Sequence, residues 1–220
     1  MRHKPHHNGH TKDIRMRQQL ATEAARIIAE EGIEDFHAAK HKAAERLHAP
    51  NTHNLPRNDE IQSALFEYQR LFKGSSQPQQ LSQLREASCQ AMAFLAPFQP
   101  RLVGPVLDGS ATEFSEITLH LFAEPAEAVG LFLMEAHIPH ELDSQRLTMA
   151  NGDVVEHPRY RTVLDNIAVS LVVFDIKGLR QAPCSPVTGK PMSRANLQDV
   201  EELLHNSEIG KRKTNPTLSP

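Results

Sequence analysis

Cysteine, tryptophan and long apolar runs are scarce or missing in this chain of 220 residues, which has two cysteines and no tryptophan. Cys89 and Cys184 lie far apart and neither belongs to a C-x-x-C pair, so the sequence predicts neither a zinc site nor a disulfide framework. No run of about 18 apolar residues is present to cross a bilayer, and no apolar N-terminal run resembles a signal peptide. We therefore expect a cytoplasmic protein with no membrane partner.

Several signatures of catalysis are also missing. The Gly-Lys pairs that begin at Gly189 and Gly210 are followed by Pro191 and Arg212 rather than by the Ser or Thr of a P-loop. G-x-G-x-x-G, G-x-S-x-G and H-E-x-x-H are absent as well. These absences argue against a P-loop ATPase, a Rossmann dehydrogenase and an α/β hydrolase.

The composition indicates a real core with polar ends. Apolar residues make up 39% of the chain, prolines number 15, and the net charge is −3. The length allows one domain with extensions or two small domains. Residues 1–12 carry four histidines without an apolar period, and residues 207–220 are basic, so both ends are predicted to be disordered tails.

Residues 13–74 have helical periodicity and are predicted to form a helical N-terminal region. Two helices are expected over 13–48, with Gly32 ending the first and Asp35 capping the second. A third helix follows Asn58, with inward residues Ile61, Leu65, Tyr68, Leu71 and Phe72. Basic residues flank the alanine-rich second helix, namely Lys40, His41, Lys42 and Arg46. This arm could bind a nucleic acid or a protein; alternatively, it is a helical hairpin with a solvated face.

Residues 79–206 are predicted to form an α+β domain, because the period changes from helical to alternating after Pro100. We expect a mixed β-sheet with strands over 101–108, 116–122, 140–149, 158–164 and 167–175. Helices are expected over 79–96, 125–136 and 196–205, the first two packed against the sheet. The proline-rich segment 178–195 is predicted to be an ordered loop.

The stretch Arg101–Phe122, RLVGPVLDGSATEFSEITLHLF, holds the most informative motif. It resembles the nucleotidyltransferase superfamily typified by polymerase beta and the minimal nucleotidyltransferases. There, a helix and a strand lead to a Gly-Ser pair, and the next strand carries the pattern acid-x-acid. Residues 13–195 also resemble uncharacterised bacterial nucleotidyltransferase-like proteins. The resemblance implies a nucleotidyltransferase-like fold that transfers a nucleotidyl group from a nucleoside triphosphate.

The resemblance also implies roles for individual residues. Gly109 and Ser110 would seat the triphosphate, and Glu116 and Thr118 would stand at the two acidic positions, with Glu116 holding Mg²⁺. Carboxylates at i and i+2 project from the same side of a strand, where hard oxygen ligands can hold this metal. His120 would orient the nucleotide. From the residues themselves, Arg180 and Lys190 in the proline-rich loop are candidates to bind phosphate.

The acidic motif departs from that pattern. Thr118 occupies the second acidic position, and the gap from Gly109-Ser110 to Glu116 is short. A third acid should come from a neighbouring strand, where Ser170 is the inward candidate and Asp165 and Asp175 lie at the strand ends. The metal site is therefore predicted to be eroded. The alternative function is a non-catalytic regulatory module that binds a nucleotide, a nucleic acid or a protein.

Overall fold

A five-stranded mixed sheet and seven α-helices make up the regular structure of the part of the chain described here. The computed structural model describes the backbone of residues 7–214 and the side chains of residues 13–207. The helices are α1 (His7–Glu31), α2 (Phe36–Arg46), α3 (Asn58–Phe72), α4 (Gln77–Phe94), α5 (Gly104–Asp108), α6 (Glu127–Glu135) and α7 (Leu197–Thr214). The strands are β1 (Arg101–Val103), β2 (Ile117–Phe122), β3 (His140–Thr148), β4 (Val154–Leu164) and β5 (Ile167–Phe174). The prediction of an α+β fold with a mixed sheet is confirmed.

The chain divides into two compact units. The first takes the chain up to Gln77 together with Thr112–Phe114 and Pro186–Thr188, and the second contains the remainder. None of the helices whose course is described combines the length and the apolar character that crossing a bilayer requires.

The first unit is a three-helix assembly with its own apolar core. Small residues dominate where α2 faces α1, because Ala39, Ala43 and Ala44 are almost completely buried. Leu20 and Ile27 of α1, with Ile61 and Leu65 of α3, complete the cluster. Asp35 caps α2 as predicted, and its carboxylate accepts a hydrogen bond of 2.6 Å from the Ala38 amide.

One prediction about this unit is wrong in detail. Leu71 and Phe72 were expected to point inward, but they are 59% and 69% exposed. They lie in the last turn of α3, beyond the inward face marked by Ile61 and Leu65. On the basic flank of α2, Lys42 pairs with Glu31 at 2.7 Å and Arg46 pairs with the same carboxylate at 2.6 Å.

The second unit is built on the sheet, whose strand order is β1-β2-β5-β4-β3. Strand β2 pairs antiparallel with β1 and parallel with β5, and the remaining neighbours are antiparallel. Ile117, Leu119 and Leu121 alternate onto one face and are fully buried, as predicted. That face packs against α4, α6 and α7 through residues that include Met92, Leu133 and Val200.

The predicted strand over 101–108 is wrong beyond Val103. Pro105 lacks an amide hydrogen and has a fixed φ, which suits the first turn of a helix better than a strand. The chain therefore turns at Gly104 (φ +72°) into the short helix α5. Strand β1 therefore ends beside Gly104, and Gly109 lies at the far end of α5 instead.

The predicted tails also differ from the structure at their inner boundaries. Helix α1 begins at His7, inside the segment 1–12, and α7 continues to Thr214 rather than ending at residue 205. The sequence after Leu197 contains no proline before Pro216 and many good helix formers, which explains the longer α7. The rest of the predicted tails, residues 1–6 and 215–220, lies outside the described residues.

Candidate functional site

The sheet face opposite the helices carries polar side chains of β2, β5, β4 and β3 beside a small apolar cluster of Phe122, Val172 and Phe174, and we call it the polar face. The register places Thr118, Ser170, Arg161 and Glu141 in one row across four strands. His120, Val172, Arg159 and Asp143 form the next row. Because paired residues in a sheet project to the same side, these side chains line a single surface.

Three positions for metal-ligating acids were considered from the sequence, and all lie near one another. Glu116 immediately precedes β2, Thr118 is two residues further on, and Ser170 is the register partner of Thr118 on parallel strand β5. Ser170 is 1% exposed, and its hydroxyl oxygen has no hydrogen-bond partner in the described part of the chain. The site thus holds one carboxylate and two neighbouring hydroxyl groups.

Arginines surround this site on strand β4. Arg159 donates two hydrogen bonds of 2.6 Å to the carboxylate of Asp143. This contact raises the pKa of Arg159, and the charge of Glu116 raises it further. The same pair lowers the pKa of Asp143. Arg161, the register neighbour of Ser170, is exposed and forms no ion pair with the residues whose side chains are described. It is the cation best placed to meet an anionic ligand beside Ser170.

The turn at Gly109-Ser110 differs from the predicted triphosphate seat. Gly109 caps the C-terminal end of α5 with φ +91°, which is the negative end of a helix. The Ser110 hydroxyl donates a 2.6 Å hydrogen bond to the carboxylate of Asp108. Arg85 is 8% exposed and donates to the last carbonyl groups of α5 at 3.1 Å. The carbonyl and carboxylate oxygens of this turn thus accept hydrogen bonds from Arg85 and Ser110.

Gly104 is a candidate that the sequence analysis missed. It follows Val103, whose register partner is Thr118, so it stands at the end of β1 beside the acidic motif. A Cβ atom built on Gly104 would meet nothing within 4 Å, which leaves its backbone approachable. The signal was present in the sequence, since Gly104 precedes Glu116 by 12 positions. The spacing between Gly109-Ser110 and Glu116 was noted as short, whereas the spacing between Gly104 and Glu116 is longer.

His120 has a different environment from the one expected of a nucleotide-orienting residue. It is 2% exposed, and its Nδ1 accepts a 3.0 Å hydrogen bond from Nε of Arg194. Burial, with smaller contributions from the charges of Arg194 and His157, lowers the pKa of His120 to about 3. A neutral, buried imidazole that accepts from an arginine positions that arginine and is shielded from a ligand in solution.

Arg194 is the loop residue that contacts the polar face, in place of the predicted Arg180 and Lys190. Its guanidinium lies 4.8 Å and 5.1 Å from the ring centroids of Phe174 and Phe122, and it donates a 2.5 Å hydrogen bond to the Gly178 carbonyl. Its Nη2 forms no hydrogen bond with any residue that the structure describes. Burial and then the charge of Arg101 lower the pKa of Arg194 to about 10.

The other two loop candidates lie elsewhere. Arg180 ends a 3₁₀ turn at Ile176–Arg180 and is exposed, and Lys190 is exposed near the tip of the loop. Backbone hydrogen bonds fix the proline-rich loop 178–195 to strands β3 and β1. The Cys184 amide donates to the Thr148 carbonyl at 2.7 Å, and Ala195 pairs with Leu102 of β1. The loop was predicted to be ordered, and these contacts explain how it is fixed.

Carboxylates are too few here for a preformed metal centre. Within the residues whose side chains are described, no group of three His, Cys, Asp or Glu residues is arranged to hold a metal ion. Asp175, one of the two strand-end candidates, caps the 3₁₀ turn by accepting from the Gly178 amide at 2.8 Å. Asp165 lies exposed in the β4–β5 turn with φ +48°. Of the acids that the sequence analysis considered, Glu116 therefore remains as a candidate metal ligand on this face.

The chain was compared with models of known protein families, with curated proteins and with solved structures, and no match was found in any of the three.

Proposed function

We propose that this chain is a nucleotidyltransferase-like protein that binds a magnesium–nucleoside triphosphate complex on the polar face. Glu116 would be the protein ligand of the magnesium ion. Thr118 and Ser170 would replace the carboxylates that hold the remaining metal positions in the superfamily that the motif resembles. The observation that carries the proposal is the convergence of Glu116, Thr118 and Ser170 on neighbouring strands.

The chemistry of magnesium supports a site with one carboxylate. Mg²⁺ keeps several water ligands and is commonly bound by one or two carboxylates together with the phosphates of the substrate. The ion would arrive with the triphosphate, and Glu116 would add one oxygen to its shell. The residues present fit this arrangement, whereas they do not fit two metal ions held by the protein before the nucleotide binds.

The neighbouring groups suit the phosphate oxygens. Among the residues whose side chains are described, the buried hydroxyl of Ser170 has no partner, and an unsatisfied buried group is costly unless a ligand or water completes it. Arg161 can donate two parallel hydrogen bonds to a phosphate, and no ion pair within those same residues would compete with this. Gly104 lets the backbone approach without a Cβ atom in the way. Direct pairing with arginine would replace part of the metal's role.

We favour a function in nucleotide binding, without rapid nucleotidyl transfer, over the activity of an ordinary transferase. Two-metal phosphoryl chemistry stabilises the attacking and leaving oxygens together, and a single carboxylate does not position both ions. Thr118 and Ser170 supply neutral hydroxyls where that chemistry needs negative charge. The proposed activity is therefore that of a nucleotide-binding module on this fold, with slow or no turnover.

A nucleic acid or protein partner bound through the helical arm is the second candidate. It is supported less well, because two of the four basic residues on the flank of α2, Lys42 and Arg46, are paired with carboxylates of α1. Such pairing reduces the positive charge that a phosphate backbone would meet.

The test is an equilibrium titration with ATP and with GTP, with and without Mg²⁺. We expect Glu116→Gln to weaken Mg²⁺-dependent binding by about tenfold or more, because metal affinity follows the number of charged ligands. Binding without Mg²⁺ should remain close to that of the native protein. Glu135→Gln, at an exposed position on α6, is the matched control and should behave like the native chain.

Equal Mg²⁺-dependent binding by the native protein and Glu116→Gln would remove Glu116 from the site. Failure of either nucleotide to bind under any condition would contradict the whole proposal and favour the partner-binding alternative. Rapid turnover that disappears in Glu116→Gln would show that one carboxylate suffices for transfer, contrary to our reading.

A further inference from the structure

Two exposed histidines on α2 face each other across one helical turn. His37 and His41 are four residues apart, and their Nε2 atoms are separated by 3.1 Å. Their ring centroids are 4.3 Å apart. Residues at i and i+4 lie one above the other on a helix surface, so the spacing brings the rings together without distortion of the backbone.

The backbone beneath these rings is well fixed. Asp35 caps the helix two residues before His37, and the opposite side of α2 buries Ala39, Ala43 and Ala44. Neither histidine is held by burial, since both side chains are exposed. The helix therefore sets the separation of the two rings.

We propose that His37 and His41 form a binding site for a borderline divalent transition-metal ion such as Ni²⁺ or Zn²⁺. In the structure the two nitrogens are at hydrogen-bonding distance, which requires a proton between them. A metal ion can take the place of that proton when a small rotation of the rings turns both lone pairs to one point. Imidazole is the protein ligand best suited to these ions.

The separation of the nitrogens fits two adjacent coordination positions. A metal ion bonded to both at about 2.0–2.1 Å would subtend an angle of about 98° across the 3.1 Å gap. This angle lies between the right angle of octahedral or square-planar geometry and the wider angle of a tetrahedron. Ni²⁺ and Zn²⁺ are both compatible with it, and water would complete the shell.

Glu45 adds negative charge on the same side of α2. It is exposed, lies one further turn along the helix at i+4 from His41, and forms no ion pair among the side chains described. It is not close enough to make a group of three ligands, because no such group is present in the described part of the chain. Its carboxylate favours a cation here and partly offsets the neighbouring Lys40.

The proposal predicts that Ni²⁺ stabilises the folded chain through α2. An ion that binds the folded helix raises Tm as its concentration rises, whereas binding that is equal in the folded and unfolded chain does not. His37→Ala and His41→Ala should each weaken binding at this site by about 10–100-fold or more, the range seen when even an outer-shell partner is removed. Each variant should therefore lose the Ni²⁺-dependent rise in Tm.

The experiment compares four full-length chains, which are the native protein, the two single variants and His53→Ala. His53 is exposed in the same unit and serves as the matched control. Any Ni²⁺ held by histidines of residues 1–12 is common to all four chains, so the difference between them isolates α2. Paramagnetic Ni²⁺ should also broaden the ring signals of His37 and His41 together at the lowest concentrations.

Loss of the Tm rise in both single variants, with an unchanged rise in His53→Ala, would support the site. The same rise in all four chains would overturn it. Broadening of one ring signal without the other would also overturn it, because a chelate requires both nitrogens. Circular dichroism of the variants would verify that α2 remains helical.

Discussion

When the protein unfolds at about pH 4.5–5.5, it is expected to take up about one proton fewer if His120 is replaced with asparagine. Burial lowers the pKa of His120 from 6.5 to about 3 in the folded state. Over this range the unfolded chain binds a proton at His120 and the folded chain does not. The free energy of unfolding should therefore fall as the pH falls, by up to about 1.4 kcal/mol per pH unit from this residue.

Asparagine is the informative substitution because its Oδ1 can accept the hydrogen bond that Arg194 donates to Nδ1 of His120. Proton uptake is measured by unfolding the native and variant proteins in lightly buffered denaturant at several pH values. His205→Asn, at an exposed position on α7, is the matched control. Burial also lowers the pKa of His157, so His157 should still take up protons on unfolding in both proteins. Equal proton uptake by the native protein and His120→Asn would contradict the assignment.

Introducing a carboxylate at Thr118 should create a metal site beside the acid Glu116. Thr118→Asp places two carboxylates at i and i+2 on the polar face, and metal affinity rises with the number of charged oxygen ligands. We expect Mn²⁺ to bind this variant about tenfold or more tightly than the native protein in the absence of nucleotide. Ser170→Asp added to Thr118→Asp should strengthen binding again.

The two aspartates carry different risks for folding. Thr118 is half-buried, whereas Ser170 is 1% exposed, so a charge at Ser170 is costly until a metal ion pairs with it. The double variant should consequently gain more stability from Mn²⁺ than the single variant. Thr148→Asp, at the exposed last residue of β3, is the control. If Thr118→Asp bound Mn²⁺ no better than Thr148→Asp, Glu116 and Thr118 would not form the pair we describe.

The sequence predicted the sheet well because its strands follow a simple rule. Ile117, Leu119 and Leu121 alternate with polar residues, and burial of one face makes that alternation visible. The end of β1 was missed for a local reason, since Gly104 and Pro105 start a helix of only five residues. Short helices lack the repeated period that identifies longer ones. The same error placed the end of this strand beside Gly109 instead of beside Gly104.

The polar face was only partly visible in the sequence. Ser170 was identified as the inward position on β5, but its pairing with Thr118 depends on a register between strands about 50 residues apart. The roles of His120 and Arg194 depend on the course of the proline-rich loop, which no periodic pattern describes. Arg180, Lys190 and Arg194 look alike in the sequence, and only the folded loop distinguishes Arg194.

The most direct test of the proposed site is a map of backbone amide shifts during titration with Mg²⁺ and a non-hydrolysable ATP analogue. We predict the largest changes at Gly104, at Glu116–Thr118 and around Ser170, with smaller changes at Arg161. These residues surround one point on the polar face, so they should shift together with a single affinity. Largest shifts at Arg180 and Lys190, shifts confined to α1–α3, or no shifts at all would contradict the account.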